Sequence, residues 1–321
     1  MRFSRLFDPL KGLLVKEPLG TGKGWWAGAP GAFYDQETRL FYLFYRLRKP
    51  REGEKGGRGF EGRIAISSDG INFKDVWSVQ KEELDTPSLE RGAILKGKEG
   101  KWLLYLSYVN PVDNRWKIDV IESSSPDSFR VDKRVEVLTA QKTGTEGVKD
   151  PRVYTFGHAY YMLVSYADVD RSAELSPEEL HSTADAYNTG LIRSCSGLAV
   201  SMDGIAFEWL GGVLFPTKGR WDAYASRLNS VIYVPPVFVG FYDGARDVTE
   251  NYEEKTGIAQ STDFFHWHKI STEGPALVSP YASGSLRYVD AVVADKKLCF
   301  YFEWAREDGS HELRVSFVNL A

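Results

Sequence analysis

A serine–acid turn leading into an aromatic residue recurs along this chain, and recurrence at long intervals restricts the fold more than any single motif does. Full copies are Ser67-Ser-Asp-Gly-Ile-Asn-Phe73, Ser201-Met-Asp-Gly-Ile-Ala-Phe207 and Ser261-Thr-Asp-Phe-Phe-His-Trp267, with a degenerate copy at Ser124-Ser-Pro-Asp-Ser-Phe129. Asp-Gly between apolar runs is a strong hairpin signal, because glycine accepts the left-handed backbone of a tight turn. The aromatic that follows is expected to seal the hairpin into a core.

Each copy follows a pair of strand-like runs of the same flavour. These are Gly31-Ala-Phe-Tyr with Leu40-Phe-Tyr-Leu-Phe-Tyr45, Gly92-Ala-Ile-Leu with Trp102-Leu-Leu-Tyr-Leu106, and Asp150-Pro-Arg-Val-Tyr with Tyr160-Tyr-Met-Leu-Val164. Leu228-Asn-Ser-Val-Ile with Val237-Phe-Val-Gly-Phe241 is a fourth pair. A fifth, Val289-Asp-Ala-Val-Val with Leu298-Cys-Phe-Tyr-Phe302, lacks a full turn motif but leads to another strand, Glu312 to Val318. Five units at roughly 60-residue spacing, each an antiparallel meander, predict an all-β, five-bladed β-propeller with four-stranded antiparallel blades around a central channel. A two-sheet sandwich gives many short strands but not this period. No composition shift marks a boundary, so residues 1–321 read as a single domain. Helical pattern is confined to a capped turn at Ser176-Pro-Glu-Glu-Leu180. Long irregular stretches at 46–62, 141–148, 168–193 and 243–257 are expected to be functional loops.

Composition narrows the partners. A formal net charge of −4 lacks the electrostatic footprint of a nucleic-acid binder. No apolar run approaches the ~18 residues of a membrane span, and the N-terminus has no apolar signal core. Two cysteines, Cys195 and Cys299, form neither a disulfide framework nor a metal pattern, which fits a cytoplasmic protein. The five histidines show no zinc spacing, and there is no Walker loop, no GxGxxG before a helix and no Gly-x-Ser-x-Gly elbow. No metal or cofactor is expected, and the sequence does not reveal the oligomeric state.

The innermost strand of each blade opens onto one face of the channel. Its five starts read Ala29-Pro-Gly-Ala, Glu90-Arg-Gly-Ala, Lys149-Asp-Pro-Arg, Arg227-Leu-Asn-Ser and Arg287-Tyr-Val-Asp290. Read this way, Glu90, Asp150 and Asp290 occupy corresponding places, interleaved with Arg91, Arg152, Arg227 and Arg287. Buried charges are costly unless paired or facing water, so such a ring is either a site or a tie between blades. Paired carboxylates in unlike environments are the equipment for glycosidic cleavage: one donates a proton to the leaving oxygen, and the other activates water or attacks the anomeric carbon. We expect Glu90 as proton donor, Asp290 as base and Asp150 as positioning acid. Trp25, Trp26, Trp116, Trp221 and Tyr288 are candidates to stack on sugar faces. The arginines suit a carbohydrate substrate that is anionic, or phosphate as co-substrate, because guanidinium reads both bidentately.

The blade pattern, the Ser-x-Asp-Gly-x-x-Phe turns and the Asp-Pro strand start resemble the five-bladed propeller glycoside hydrolases. These are the family 43 arabinosidases and xylosidases, the family 32 and 68 fructosidases and the family 130 mannoside phosphorylases. The resemblance covers nearly the whole chain and lies mostly in architecture. Pro30-Gly-Ala through Tyr42-Leu-Phe-Tyr-Arg46, followed by Arg63-Ile-Ala-Ile-Ser-Ser-Asp-Gly70, is most similar to family 130. Asp150-Pro-Arg152 resembles that family's Glu-Asp-Pro-Arg motif, here in the third blade behind Lys149. The departures are specific. Ala29-Pro30 stands where family 43 has its base, Arg227-Leu-Asn229 where it has its acid, and Glu90-Arg-Gly-Ala93 replaces the family 130 acid motif. Asp150 matches the third-blade Asp-Pro of family 43, for which the resemblance implies positioning and pKa tuning. Glycoside hydrolysis of a poly- or oligosaccharide is the implied activity, with phosphorolysis and non-catalytic carbohydrate binding as alternatives.

Overall fold

The computed structural model describes residues 7–51, 57–170, 172 and 174–320. Part of the irregular stretch read at 46–62, and the start of the N-terminal segment, lie outside these residues. Twenty strands account for about half of the described chain. The first meander is β2 (Trp26–Asp35), β3 (Leu40–Arg48), β4 (Glu61–Ser67) and β5 (Lys74–Gln80). The second is β6 (Ala93–Lys96), β7 (Trp102–Val109), β8 (Trp116–Ser123) and β9 (Val135–Leu138). The third is β10 (Val148–Phe156), β11 (Ala159–Val169), β12 (Ile192–Ser201) and β13 (Glu208–Leu214). The fourth is β14 (Ala225–Val234), β15 (Val237–Ala245), β16 (Lys255–Ser261) and the short β17 (His268–Lys269).

The last meander closes differently. β18 (Leu286–Ala294), β19 (Lys297–Ala305) and β20 (His311–Asn319) come from the C-terminal end, and the fourth strand is β1 (Leu13–Lys16), with Leu13 opposite Val315. The turn motif missing from the fifth repeat is thus replaced by a strand from the other end of the chain. This buries the edge of β20 and joins the two ends. Helix is limited to short pieces, among them α1 (Ala140–Thr143) and α2 (Pro177–His181), the latter with the expected Ser176 cap.

The repeated turn joins the third and fourth strands of its meander. In the first copy Ser67 Oγ accepts from the Gly70 amide at 3.0 Å, and Asp69 Oδ1 accepts from the amides of Ile71 and Asn72 at 2.8 Å. Ser201 with Asp203, and Ser261 with Asp263, repeat this pattern with matching partners. One position in each turn is left-handed, with φ of 77° at Gly70, 81° at Gly204 and 70° at Phe264. Phe264 accepts a backbone that glycine adopts freely, and its ring is buried among Tyr154, Phe238 and Trp267. His266 lies in this turn, bonded to Asp263, so it does not share a strand face with His268.

The first strands pack side by side as a closed ring, β2 to β6 to β10 to β14 to β18 and back to β2. Apolar clusters fill the wedges between neighbouring meanders, for example Tyr42, Phe44, Leu104 and Tyr108 between the first two. Single parallel contacts (Ser194 with Ala225, Lys255 with Leu286, His311 with Trp26) tie a third strand to the next meander's first strand. The ring is what positions the site.

Candidate active site

β-bulges interrupt β2, β10 and β18 near their starts, and each turns one residue left-handed: Ala29 (φ 52°), Asp150 (φ 58°) and Tyr288 (φ 53°). A left-handed residue with a Cβ costs on the order of 1 kcal/mol, so three at equivalent places need support from outside the strand. That support comes from the second strand of the preceding meander. Ala29 donates its amide to Glu303 Oε2 at 3.0 Å, Asp150 to Ser107 Oγ at 3.3 Å, and Tyr288 to Asp243 Oδ1 at 3.0 Å. The strand register also corrects the expected alignment of acids. Tyr288 is the counterpart of Asp150, whereas Asp290 falls two residues later, level with Arg152 in β10 and Gly31 in β2.

The charged side chains therefore form two layers. In the upper one, Tyr288 Oη lies 3.4 Å from both Glu90 Oε1 and Asp150 Oδ1. The two carboxylates are thus separated by no more than two such steps. Arg46 pairs with Glu90 and, at 3.2 Å, with Glu303. The other Asp150 oxygen, Oδ2, is buried with no hydrogen-bond partner among the described residues. Arg227 and Arg287 share Glu254 at 2.7 and 2.6 Å, and Arg287 also holds Glu303 at 2.8 Å.

These environments pull the acids apart. Burial, reinforced by nearby Glu254, pushes the Asp243 carboxyl up to about 8. Against the cost of burial, Arg227 and Arg287 hold Glu254 down at about 2. Glu303 is likewise held below the usual carboxylate range against burial by Arg287, with help from His311 and Arg46. Burial lifts the Tyr288 phenol well above its ordinary value, and Asp150 adds to it. Unlike carboxyls side by side are what acid–base chemistry needs.

The lower layer is a tie between meanders. Asp290, fully buried, pairs with Arg152 at 3.0 Å and Arg91 at 3.2 Å and accepts the Ala32 amide at 2.6 Å. Arg91 also donates to the carbonyls of Pro30 and Asn229, and Arg152 to that of Ala32. The expected trio of acids therefore divides: Glu90 and Asp150 meet at Tyr288, while Asp290, Arg91 and Arg152 brace the ring beneath them.

Above the mouth, loops from different meanders meet on Asp185. Trp116 Nε1 donates to it at 3.0 Å, the Tyr252 hydroxyl bonds it, and Arg58 pairs with it at 3.3 Å. Arg58 also donates to the carbonyls of Thr183 and Ala184, linking the loop after β3 to the insert before β12. Lys149 sits below this cover, its ammonium 4.3 Å from the centre of the Tyr187 ring, and burial brings it down to about 8. Trp116 is thus a buried part of the cover, and Trp26 is stacked on His311 at 4.4 Å.

Sequence reading missed Arg46, Arg48, Asp185, Asp243, Glu254 and Glu303. The signal for three of them was a charged residue closing an aromatic run within a second strand: Phe44-Tyr-Arg46, Phe241-Tyr-Asp243 and Tyr301-Phe-Glu303. Arg46 and Arg48, read as loop, belong to β3.

No protein-family model matches the sequence, and neither does any curated protein. Solved structures do match in fold. A protein titled "Glycoside hydrolase" is 12% identical, covers 97% of this chain and 92% of its own, and superposes with a TM-score of 0.65. A thermostable family-43 glycoside hydrolase is 12% identical over 96% of this chain and 93% of its own, at a TM-score of 0.64. The β-1,2-mannobiose phosphorylase from Listeria innocua, in complex with β-1,2-mannobiose, is 13% identical over 95% and 93%, at 0.60. The resemblance expected from the turns and strand starts holds at the level of fold, which is the β-propeller of these glycoside hydrolases.

Proposed function

We propose that the chain is a single-domain, five-bladed β-propeller glycoside hydrolase acting on a poly- or oligosaccharide at the charged mouth of its ring of first strands. One observation carries this reading: Glu90 Oε1 and Asp150 Oδ1 converge on the Tyr288 hydroxyl at 3.4 Å each, so two carboxylates flank a single point at the mouth. The fold shared with proteins titled glycoside hydrolases supports it. Glu90, paired with Arg46, serves as the ionised carboxylate that activates water. Asp150, whose Oδ2 has no hydrogen-bond partner among the described residues, takes the place of the general acid toward the leaving oxygen. Tyr288 sets the distance between them, and Asp243 holds Tyr288 in its left-handed backbone. Asp290 keeps its place in the brace below.

A product-release assay tests this, using aryl glycosides and plant or microbial oligosaccharides with and without phosphate. Wild type should release sugar, and Glu90→Gln and Asp150→Asn should each lower turnover by about 10²–10⁴-fold. Turnover that persists in both variants would remove the site assignment. Release that requires phosphate would make the enzyme a phosphorylase.

A second reading, a carbohydrate-binding propeller without turnover, draws on Ala29. It occupies the bulge position that holds Asp150 and Tyr288 in other meanders, yet brings no functional group. That reading predicts sugar binding with no product from any substrate.

A further inference from the structure

The arginines at the strand starts are all spoken for: Arg91 and Arg152 share Asp290, and Arg227 and Arg287 share Glu254. Arg48 is different. It ends β3 two residues after Arg46 and is only 6% exposed. Its guanidinium lies between two rings, 4.2 Å from the centre of Trp26 and 4.9 Å from that of Tyr252. Among the described residues no carboxylate comes within ion-pair distance of it, and its Nη1 is buried without an acceptor. Its surroundings are cationic: burial first, then Arg46, Arg287 and Arg51, act against its charge. The indole Nε1 of Trp26, in the same stack, is a second buried donor with no acceptor among the described residues.

A buried guanidinium without a counter-ion is costly, and folds rarely retain one unless something else supplies the anion. Among the described residues none supplies that counter-charge, which leaves the place to a ligand. Arg46 is neutralised by Glu90 and Glu303, Arg287 by Glu254 and Glu303, and Arg51 lies 3.7 Å from Asp185. Arg48 thus adds one positive charge that no carboxylate among the described residues pairs, and a single carboxylate is enough to meet it. A planar guanidinium fork reads a carboxylate through two parallel bonds. The Trp26 ring that backs it is fixed by stacking on His311, itself bonded to Glu303 and Glu253.

We propose that Arg48 and Trp26 form an anion subsite at the mouth that takes the carboxylate of an acidic sugar unit, of the uronic acid class. This rests on reading the mouth as a carbohydrate site and names the substrate class for it. Entry displaces the Tyr252 ring from Arg48; Tyr252 itself has a left-handed backbone, φ 77°, in the loop before β16.

Binding calorimetry on the full chain tests the proposal without needing turnover. The probes are glucuronate and galacturonate with their short oligomers, the neutral glucose and galactose counterparts, and inorganic phosphate. Wild type should bind at least one uronide about tenfold or more tighter than its neutral counterpart, with an affinity that falls as salt rises. Arg48→Met should abolish that preference, Arg48→Lys should retain part of it, and Trp26→Phe, which keeps the ring and deletes the N–H, should weaken it less. Because Arg48 has no counter-ion among the described residues, Arg48→Met should melt at or above the wild-type temperature. Absence of uronide binding, a preference that survives Arg48→Met, or a lower melting temperature in that variant each overturns the proposal. Phosphate binding that competes at Arg48 overturns the assignment to a sugar carboxylate. Cleavage of neutral glycosides with no uronide preference sinks this inference and leaves the hydrolase reading standing. Uronide preference without turnover does the reverse.

Discussion

The same five first strands build two unlike ends. At their starts, four of them are bulged, three of these hold a residue with a side chain in left-handed backbone, and charges are buried in quantity. At their far ends the pairing is regular, Val153 opposite Met162 and Ile232 opposite Val239. There they line a cavity of about 290 Å³ with Val153, Tyr154, Val231, Ile232 and Val292, among others. Apolar residues stand in the open at that end, such as Tyr233 at 58% and Val293 at 47% exposed. The brace of Asp290, Arg91 and Arg152 separates the two. A regular strand alternates its side chains between faces, and a bulge breaks that alternation and re-aims one residue. One end therefore packs by ordinary hydrophobic burial, while the other depends on mutual neutralisation and on amides held by neighbouring meanders.

The largest expected effect breaks the charged end at its centre. Arg287→Met leaves Glu254 and Glu303 each short of a buried partner, and should cost about 3–5 kcal/mol of stability. Ile232→Val at the apolar end removes one methylene and should cost about 0.5–1.5 kcal/mol. Urea unfolding of the two variants measures this; similar costs would mean the ends do not differ in the way described.

A pH titration of stability sharpens the comparison. Asp243 has its folded pKa pushed up by burial to about 8, against about 3.9 unfolded. The folded state thus binds the proton more tightly. The stability this contributes is complete below about pH 4 and is lost as pH rises through about 8. Asp243→Asn carries no such loss. Wild type should therefore lose stability relative to that variant between about pH 4 and 8, by about 2 kcal/mol or more, since one pKa unit is about 1.4 kcal/mol. Lys149, brought down by burial to about 8, contributes stability that is complete above about pH 10.4 and lost as pH falls through about 8. It is the same in both proteins and cancels from the difference. A difference that stays flat with pH would show Asp243 ionised in the fold.

What the chain disclosed about itself follows the range of the interactions. The serine–acid turns were legible because the bonds that make them span three residues, as from Ser67 to Gly70. Closure by β1 was not, since Leu13 and Val315 meet across the whole chain and the β1 segment carries no repeat. The site was half legible. The starts of the first strands marked Glu90, Asp150 and Tyr288. Asp290 was grouped with Asp150 because both are acids, although it is fourth in its start and stands with Arg152. The partners that make the mouth work, Asp243, Glu254 and Glu303, come from second strands and from a loop of other meanders. Only the assembled ring brings them to the bulges.

Strain offers the smallest test of the difference between the ends, and the most local. Ala29 and Ala32 lie three residues apart in β2, are both buried, and lose the same methyl group on substitution by glycine. Glycine also adds the same freedom to the unfolded chain at either position. These terms are common to Ala29→Gly and Ala32→Gly. What remains is the left-handed backbone at Ala29, φ 52°, which glycine adopts without penalty and alanine does not. Ala29→Gly should therefore be less destabilising than Ala32→Gly by on the order of 1 kcal/mol, read as a difference in unfolding midpoint at equal slope. Equal costs would mean that the amide bond from Ala29 to Glu303 does not hold the bulge against its own preference. The strained starts of β10 and β18, where Asp150 and Tyr288 occupy the same backbone, would then lose their physical explanation with it.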